Sequence, residues 1–498
     1  MAISAQTTYG RVTGVTKDDV HVFRGIPYAA PPTGELRFKP PQRPEARDGA
    51  SDATRFSPAA PQLQTQIELI DMPDLETSED CLYLNVWTPG VDDGRRPVMV
   101  WIHGGAFIGG AGSTPWYHGT SFVKQGDVVV VTLNYRLGVL GFGYFDDVIE
   151  GLGETANLGI LDQIAALEWV RDNIASFGGD PDQVTVFGES AGAMSIGTLF
   201  GTPAAKGLFK RAILQSGAGR HISLREEASR IAREVLDELD LKDPTPEDLR
   251  ELSIEQILNA QAIVLFRNWG RTSGLPFQPV LDGVVLPEHP FDAVESGATE
   301  RIPVLIGTTR DEWLLFSLID PTHATLTEDE LLERATRVFR DEEHARTALK
   351  VYSAERPDAS PGELWSAIQT DRIFRNPSLR LVERHNGEAF VYLFTYCSPV
   401  MGGRLRSCHA LEIPFVFNNL DAPGVTGLAG SITPEMRQLA EAMHEAWIAF
   451  ARTGRPESKR LPAWPPYTTE RRSTMVIGDQ TAVVDDPLAD ERRLWDQR

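Results

Sequence analysis

Thr185-Val186-Phe187-Gly188-Glu189-Ser190-Ala191-Gly192-Ala193-Met194-Ser195 decides the reading of this chain. Val184 to Phe187 is a short β-branched and aromatic run, the pattern of a buried strand. It stops at G-E-S-A-G, and A-M-S-I-G-T-L-F then reads as a helix. A serine between strand and helix sits on a very tight turn, and glycines two residues to either side let the flanking backbone pass without side-chain clashes. Such an elbow pushes the Ser190 hydroxyl out of the sheet and aims the amide of Ala191 at the same point in space. Ser190 is therefore the candidate nucleophile.

The flanking elements repeat the theme. Upstream, P-V-M-V-W-I-H-G-G-A-F (Pro97 to Phe107) is an apolar strand ending in glycines, and D-V-V-V-V-T-L-N-Y-R (Asp127 to Arg136) has the continuous apolar run of a strand buried on both faces. Asn157 to Phe177 carries apolar residues at helical spacing. Downstream come R-A-I-L-Q-S-G-A (Arg211 to Ala218), I-P-V-L-I-G (Ile302 to Gly307) and F-V-Y-L-F-T-Y (Phe390 to Tyr396), all strand-like. The N-terminal residues to about 50 suggest a small antiparallel hairpin followed by an extended proline-rich segment, and Glu79 to Pro89 holds a further strand. Alternating strands and helices imply an α/β fold with a mostly parallel twisted sheet covered on both faces. The stretches at about 222–270 and 325–385 are charged, helical and free of strand signals, and are expected to roof a pocket. The last clear element is an amphipathic helix near Pro434 to Arg452. No linker composition or repeat divides the chain, so 1–498 reads as one domain with helical inserts.

Composition narrows the function. A chain of 498 residues with net charge −22 lacks the basic footprint that nucleic acid requires. No apolar run approaches the ~20 residues of a membrane span, and the N-terminus shows no basic-then-apolar leader. Three cysteines, Cys81, Cys397 and Cys408, imply free thiols and a reducing, cytoplasmic setting. No metal-ligand spacing is present, and neither metal nor organic cofactor is expected.

A serine hydroxyl needs a base, and the base needs an orienting carboxylate. In sheets of this kind the partners follow the serine in chain order, acid then histidine, on loops after strand ends. Among ten histidines, His21, His103 and His118 precede Ser190, while His221 and His289 precede the acid's strand. His344 and His444 sit in helical stretches, His385 precedes its strand, and His323 lies too close to the acid loop. His409 remains, on the loop before L-E-I-P-F-V-F. For the acid, Asp311 and Glu312 in G-T-T-R-D-E-W compete, and spacing does not choose between them. The turn H-G-G-A-F (His103 to Phe107) has residues small enough for main-chain N–H groups to converge on a developing oxyanion. Phe277, Trp313 and Phe316 are candidate pocket walls or core residues.

With these residues in place, the chain resembles the type B carboxylesterases, the cholinesterase-like branch of the α/β-hydrolases, and within them the bacterial p-nitrobenzyl-esterase-like members. The resemblance runs through F-R-G-I-P-Y-A-A-P-P-T-G-E-L-R-F, E-D-C-L-Y-L-N-V, W-I-H-G-G-A-F, N-Y-R-L-G-V-L-G-F, N-L-G-I-L-D-Q, F-G-G-D-P, F-G-E-S-A-G, L-Q-S-G, G-T-T-R-D-E, C-H-A-L-E-I-P-F-V-F and W-P-P-Y. It implies Ser190 as nucleophile, His409 as base and Glu312, not Asp311, as acid. It implies an oxyanion hole on the amides of Gly105, Ala106 and Ala191, and Ser216 as a partner of the acid. Animal relatives pair the cysteine of E-D-C-L with one about twenty residues upstream, whereas here Cys81 has no such partner. Residues 60–78 contain no aromatic, so the cation–π site of choline-binding relatives is missing. The resemblance implies hydrolysis of small-molecule esters without cofactors, with a monomer as the favoured state. The same machinery also serves carbamates, amides or thioesters, and the fold also occurs as non-catalytic binding proteins that lack a triad member.

Overall fold

A computed structural model of the chain describes residues 1–63, 74–268 and 275–496. Much of the 60–78 loop, and residues 269–270 at the end of the first helical excursion, lie outside the described residues. The strands in chain order are β1 (Ala2–Thr7), β2 (Gly10–Lys17), β3 (Val20–Pro27), β4 (Ala50–Asp52), β5 (Tyr83–Thr88), β6 (Arg96–Ile102), β7 (Val129–Leu133) and β8 (Gly179–Glu189). They continue as β9 (Arg211–Gln215), β10 (Ser223–Leu224), β11 (Val280–Leu281), β12 (Val304–Thr309), β13 (Ala389–Phe394), β14 (Ser473–Ile477) and β15 (Ala482–Asp485). The main sheet runs β1-β2-β3-β5-β7-β6-β8-β9-β12-β13-β14-β15, with β4 beside β2. From β7 to β14 every neighbouring pair is parallel, and antiparallel strands close both edges.

Strand β6 shows why the centre is buried. Val98, Val100 and Ile102 face one apolar core, while Met99 and Trp101 face the other. Alternate residues thus feed opposite layers, and a strand that must do both carries almost no polar side chain. Helices cover the faces, among them Leu158–Asn173 on one side and Pro434–Thr453 on the other.

Register places the chemistry. Glu189 pairs with Gln215, Gln215 pairs in turn with Gly307, and Thr309 pairs with Phe394. The C-terminal ends of β8, β12 and β13 therefore come out at one level, and the loops carrying Ser190, Glu312 and His409 leave from that rim. Open parallel sheets bind ligands at such ends.

The sequence reading needs three corrections here. The last clear element is not the helix at Pro434, because β14 and β15 follow it and extend the sheet. The region from 222 is not free of strand, since Ser223–Leu224 pairs with Val280–Leu281. The acid's strand is Val304–Thr309, two residues later than expected. The excursions are otherwise helical, with Arg225–Glu238, Pro246–Glu251 and Ile254–Asn268 in the first, and Glu328–Phe339, Glu342–Glu355 and Pro361–Thr370 leading the second.

Candidate active site

Ser190 stands between β8 and the helix Ala191–Phe200 with φ 55° and ψ −122°, a conformation L-residues avoid. Its backbone is held by neighbours rather than by preference: its N–H donates to the Gln215 carbonyl at 2.8 Å, and its carbonyl accepts from Met194 N–H at 2.8 Å. Gly192 is required because a Cβ there would lie 1.9 Å from the carbonyl oxygen of Ile102, at the end of β6. Helix and strand end approach more closely than any side chain allows.

The glycine turn after β6 lies against this elbow. A Cβ on Gly104 would meet the Glu189 carbonyl at 2.7 Å and Ser190 Cβ at 3.0 Å. Beyond it, Gly105, Ala106 and Phe107 all take positive φ (113°, 55° and 61°). Among the described residues, the N–H groups of Gly105, Ala106 and Ala191 donate to no partner. His103 is not part of this chemistry. It is fully buried, its Nδ1 bonds the Gly104 carbonyl, and burial lowers its pKa to about 4.

His409 and Glu312 meet directly: Nδ1 of the imidazole lies 2.5 Å from Oε2 of the carboxylate. The other oxygen of Glu312 accepts the Thr309 N–H at 2.8 Å, which ties the carboxylate to the end of β12. The His409 N–H also donates to the Glu312 carbonyl at 3.3 Å. Asp311 faces elsewhere, its Oδ2 accepting from Ser407 N–H at 3.4 Å.

The Ser190 hydroxyl makes no hydrogen bond to His409 in this structure. Nε2 of His409 instead lies 3.0 Å from Oε1 of Glu189, the residue immediately before the serine. Imidazole and elbow are thus side by side, with a carboxyl group at the nitrogen expected to face the hydroxyl. Ser216, expected beside the acid, makes no hydrogen bond to it in this structure. Its hydroxyl is fully buried without a hydrogen-bond partner. Its backbone (φ 54°) is pinned by its own N–H to the Gly307 carbonyl, and both oxygens of Glu312 are already engaged.

Residues 2–495 match the family model described as the carboxylesterase family. The chain belongs to the carboxylesterase family. It is 42% identical to the para-nitrobenzyl esterase of Bacillus subtilis over 493 residues, covering 98% of this chain and 97% of that one. It is 36% identical to the phenmedipham hydrolase of Pseudarthrobacter oxydans, covering 97% of each. Among solved structures, a carboxylesterase of Geobacillus stearothermophilus superposes with a TM-score of 0.89 at 44% identity, over 99% of both chains. The protein is a serine carboxylesterase of the α/β-hydrolase fold and hydrolyses carboxylic ester bonds.

In this carboxylesterase two further carboxyl groups surround the imidazole, and reading the sequence did not single them out. Burial, then the charge of Glu312, pushes Glu189 well above the usual carboxylate range. Burial, then Glu189 and Glu312, pushes Glu412 up to about 8. Glu412 accepts from Gln215 Nε2 at 3.1 Å, and Gln215 in turn accepts from Trp447 Nε1 at 3.0 Å. Three carboxyls in one dry site cannot all ionise, and the low dielectric favours the neutral acid at Glu189 and Glu412. The available signal was position: Glu189 lies inside G-E-S-A-G, and Glu412 follows His409 by three residues.

Two aromatic rings flank the base. Phe316 lies 5.1 Å from His409 between ring centroids, and Phe374 lies 4.7 Å away. Phe316 was a candidate wall; Phe374 was missed. Trp313 packs on Phe316 at 4.8 Å, and Phe277 is a core residue at 1% exposure. Among the described residues, no group of three His, Cys, Asp or Glu side chains is placed to hold a metal ion, and no helix is long and apolar enough to cross a membrane.

Proposed function

We propose that Ser190 is the nucleophile of this esterase, His409 its general base and acid, and Glu312 the carboxylate that orients the imidazole. Ser190 Oγ attacks the ester carbonyl while His409 Nε2 takes its proton. The amides of Gly105, Ala106 and Ala191 hold the oxyanion, and the imidazolium then protonates the departing alcohol. Water repeats the two steps on the acyl-enzyme. Glu312 fixes the tautomer with the proton on Nδ1, which leaves Nε2 free to accept.

The observation that carries this reading is the 2.5 Å contact between Glu312 and His409 beside a strained serine elbow. The Ser190–His409 hydrogen bond is expected to form when substrate closes the site, since such bonds are often long or misaligned without it. Treatment with a serine-directed phosphonate should place one adduct on Ser190, and Ser190→Ala should abolish hydrolysis of short-chain p-nitrophenyl esters with the circular dichroism unchanged. Near-full turnover by that variant would overturn the assignment.

We also infer a cytoplasmic, monomeric enzyme whose residues 1–498 act as one domain. Supporting the reducing setting, Cys81 and Cys408 are buried free thiols and Cys397 is an exposed one. Reductant should therefore leave the melting temperature unchanged, whereas a fall would reveal a disulfide.

A further inference from the structure

The helix that walls the site changes its pitch where it meets His409. Pro361–Thr370 is α-helical, Asp371–Arg375 forms one π-turn, and Asn376–Arg384 resumes the α-helix. The cause is in the sequence. Pro377 has no N–H to give to the Ile373 carbonyl four residues back, so the ordinary ladder breaks. Asn376 N–H reaches the Asp371 carbonyl instead, and the freed Ile373 carbonyl lies 3.1 Å from His221 Nε2. A carbonyl only accepts, so Nε2 carries the proton, and burial keeps that imidazole neutral with a pKa of about 4.

The turn sends two adjacent side chains to different places. Phe374 stacks over Phe316 and covers His409. Arg375 enters a buried ion cluster, donating from Nε to Asp371 Oδ1 at 2.6 Å and from Nη2 to Glu491 Oε2 at 3.2 Å. Glu491, 1% exposed, belongs to the short helix Ala489–Arg493 near the C-terminus and also pairs with Arg356. Tyr352 adds its hydroxyl to Asp371 Oδ2 at 2.5 Å. Two guanidinium groups meet two carboxylates, so the cluster is neutral only while all four are present. One residue before the turn, Thr370 Oγ1 accepts the N–H of Trp313, the neighbour of Glu312, at 3.0 Å. This one turn therefore touches both the acid loop and the base.

We propose that Glu491 is a positioning residue for substrate size. Through Arg375 it fixes the π-turn, and with it the depth at which Phe374 closes over His409. This rests on the reading of His409 as the base. A π-turn is a rare interruption of an α-helix, and Pro377 removes a ladder bond beside it, so side chains outside the helix hold this one. Without the Glu491 charge, two buried guanidinium groups face one carboxylate, and Arg375 must shift toward another partner or water. Phe374, the residue immediately before it in the turn, shifts with it.

The test measures kcat/KM for two pairs of esters, one pair differing in acyl length and one in alcohol size. Within each pair the ratio cancels the amount of active protein, so partial unfolding alone does not move it. Phe374→Ala should favour the bulkier ester by about tenfold in at least one pair. Glu491→Gln should move the same ratio in the same direction, and should add nothing in the Phe374→Ala background. Should Glu491→Gln fail to fold, Tyr352→Phe, which removes one hydroxyl and leaves every charge paired, takes its place with the same expectation. A ratio unmoved by the network variant while Phe374→Ala moves it overturns the proposal, as does an equal effect with Phe374 already removed. Failure of the underlying reading of His409 looks different: His409→Ala would keep its turnover.

Discussion

Oε2 of Glu312 lies 2.5 Å from Nδ1 of His409, and Asp311, the adjacent carboxyl, turns to the Ser407 amide instead. Replacing Glu312 by Gln offers the imidazole an N–H donor as readily as an acceptor, which moves the ring proton to Nε2, where the base must be free. Glu312→Gln is expected to lower kcat by about 10³–10⁴-fold, the range seen when a triad acid is made an amide. Asp311→Asn should stay within about threefold of the parent, as it touches neither ring nor hydroxyl. Kinetics of the two purified variants on one p-nitrophenyl ester decides between the neighbours. The reverse order of losses would transfer the role to Asp311.

Gly104 bears on the same elbow from the β6 side. Because an added methyl group would collide with the Glu189 main chain, the turn carrying Gly105 and Ala106 must back away from Ser190. Gly104→Ala should cost about 10² in kcat, the usual effect of displacing a catalytic group by around 1 Å. Phosphonate titration of active sites supplies the normalisation. Undiminished turnover per titrated site would show that this turn does not hold the oxyanion.

Glu412 makes stability depend on pH. Its carboxyl titrates near 8 in the folded protein, well above its unfolded value, so between about pH 4.5 and 8 the native state holds a proton that the unfolded chain has lost. The stabilisation is complete below the unfolded pKa and disappears as pH rises through the folded one. Across that window the group lowers unfolding free energy by about 1.4 kcal/mol per pH unit. Glu412→Gln should remove this slope, leaving the variant more stable relative to the parent at pH 8 than at pH 5. Urea titrations at both values measure it, and parallel curves would refute it.

Arg136 and Asp162 form a buried pair at 2.7 Å, with side chains at 4% and 0% exposure. Asp162 also accepts the Arg136 backbone N–H at 3.0 Å. Asp162→Asn leaves the guanidinium without its counter-charge and is expected to cost about 3–5 kcal/mol in chemical denaturation. A loss below 1 kcal/mol would mean that the guanidinium finds other partners.

The elements legible in the sequence are those with strong local patterns. The Ser190 elbow, the double-sided strands β6 and β7, and the helix at Leu158–Asn173 follow from runs of apolar residues broken by glycine. Strands β14 and β15 were missed because S-T-M-V-I and A-V-V-D are brief and lie beyond the last long helix, where little distinguishes a strand from a loop. The choice between Asp311 and Glu312 is invisible to spacing, because adjacent side chains diverge and only the fold shows which one meets the ring. The same holds for Glu189 and Glu412: a carboxyl group reads as a surface residue until burial makes it an acid. Pro377 was the one readable sign of the π-turn, and it lay inside a stretch that reads as plain helix.

Nothing that secures the turn at residue 190 involves its side chain. Gln215, Met194, and the tight approach of Ile102 to Gly192 hold only main-chain atoms. The scaffold is thus a pedestal indifferent to the atom it displays, and a thiol or carboxylate installed there would be presented in the same pose. New reactivity could be explored at this position without redesigning what lies beneath it.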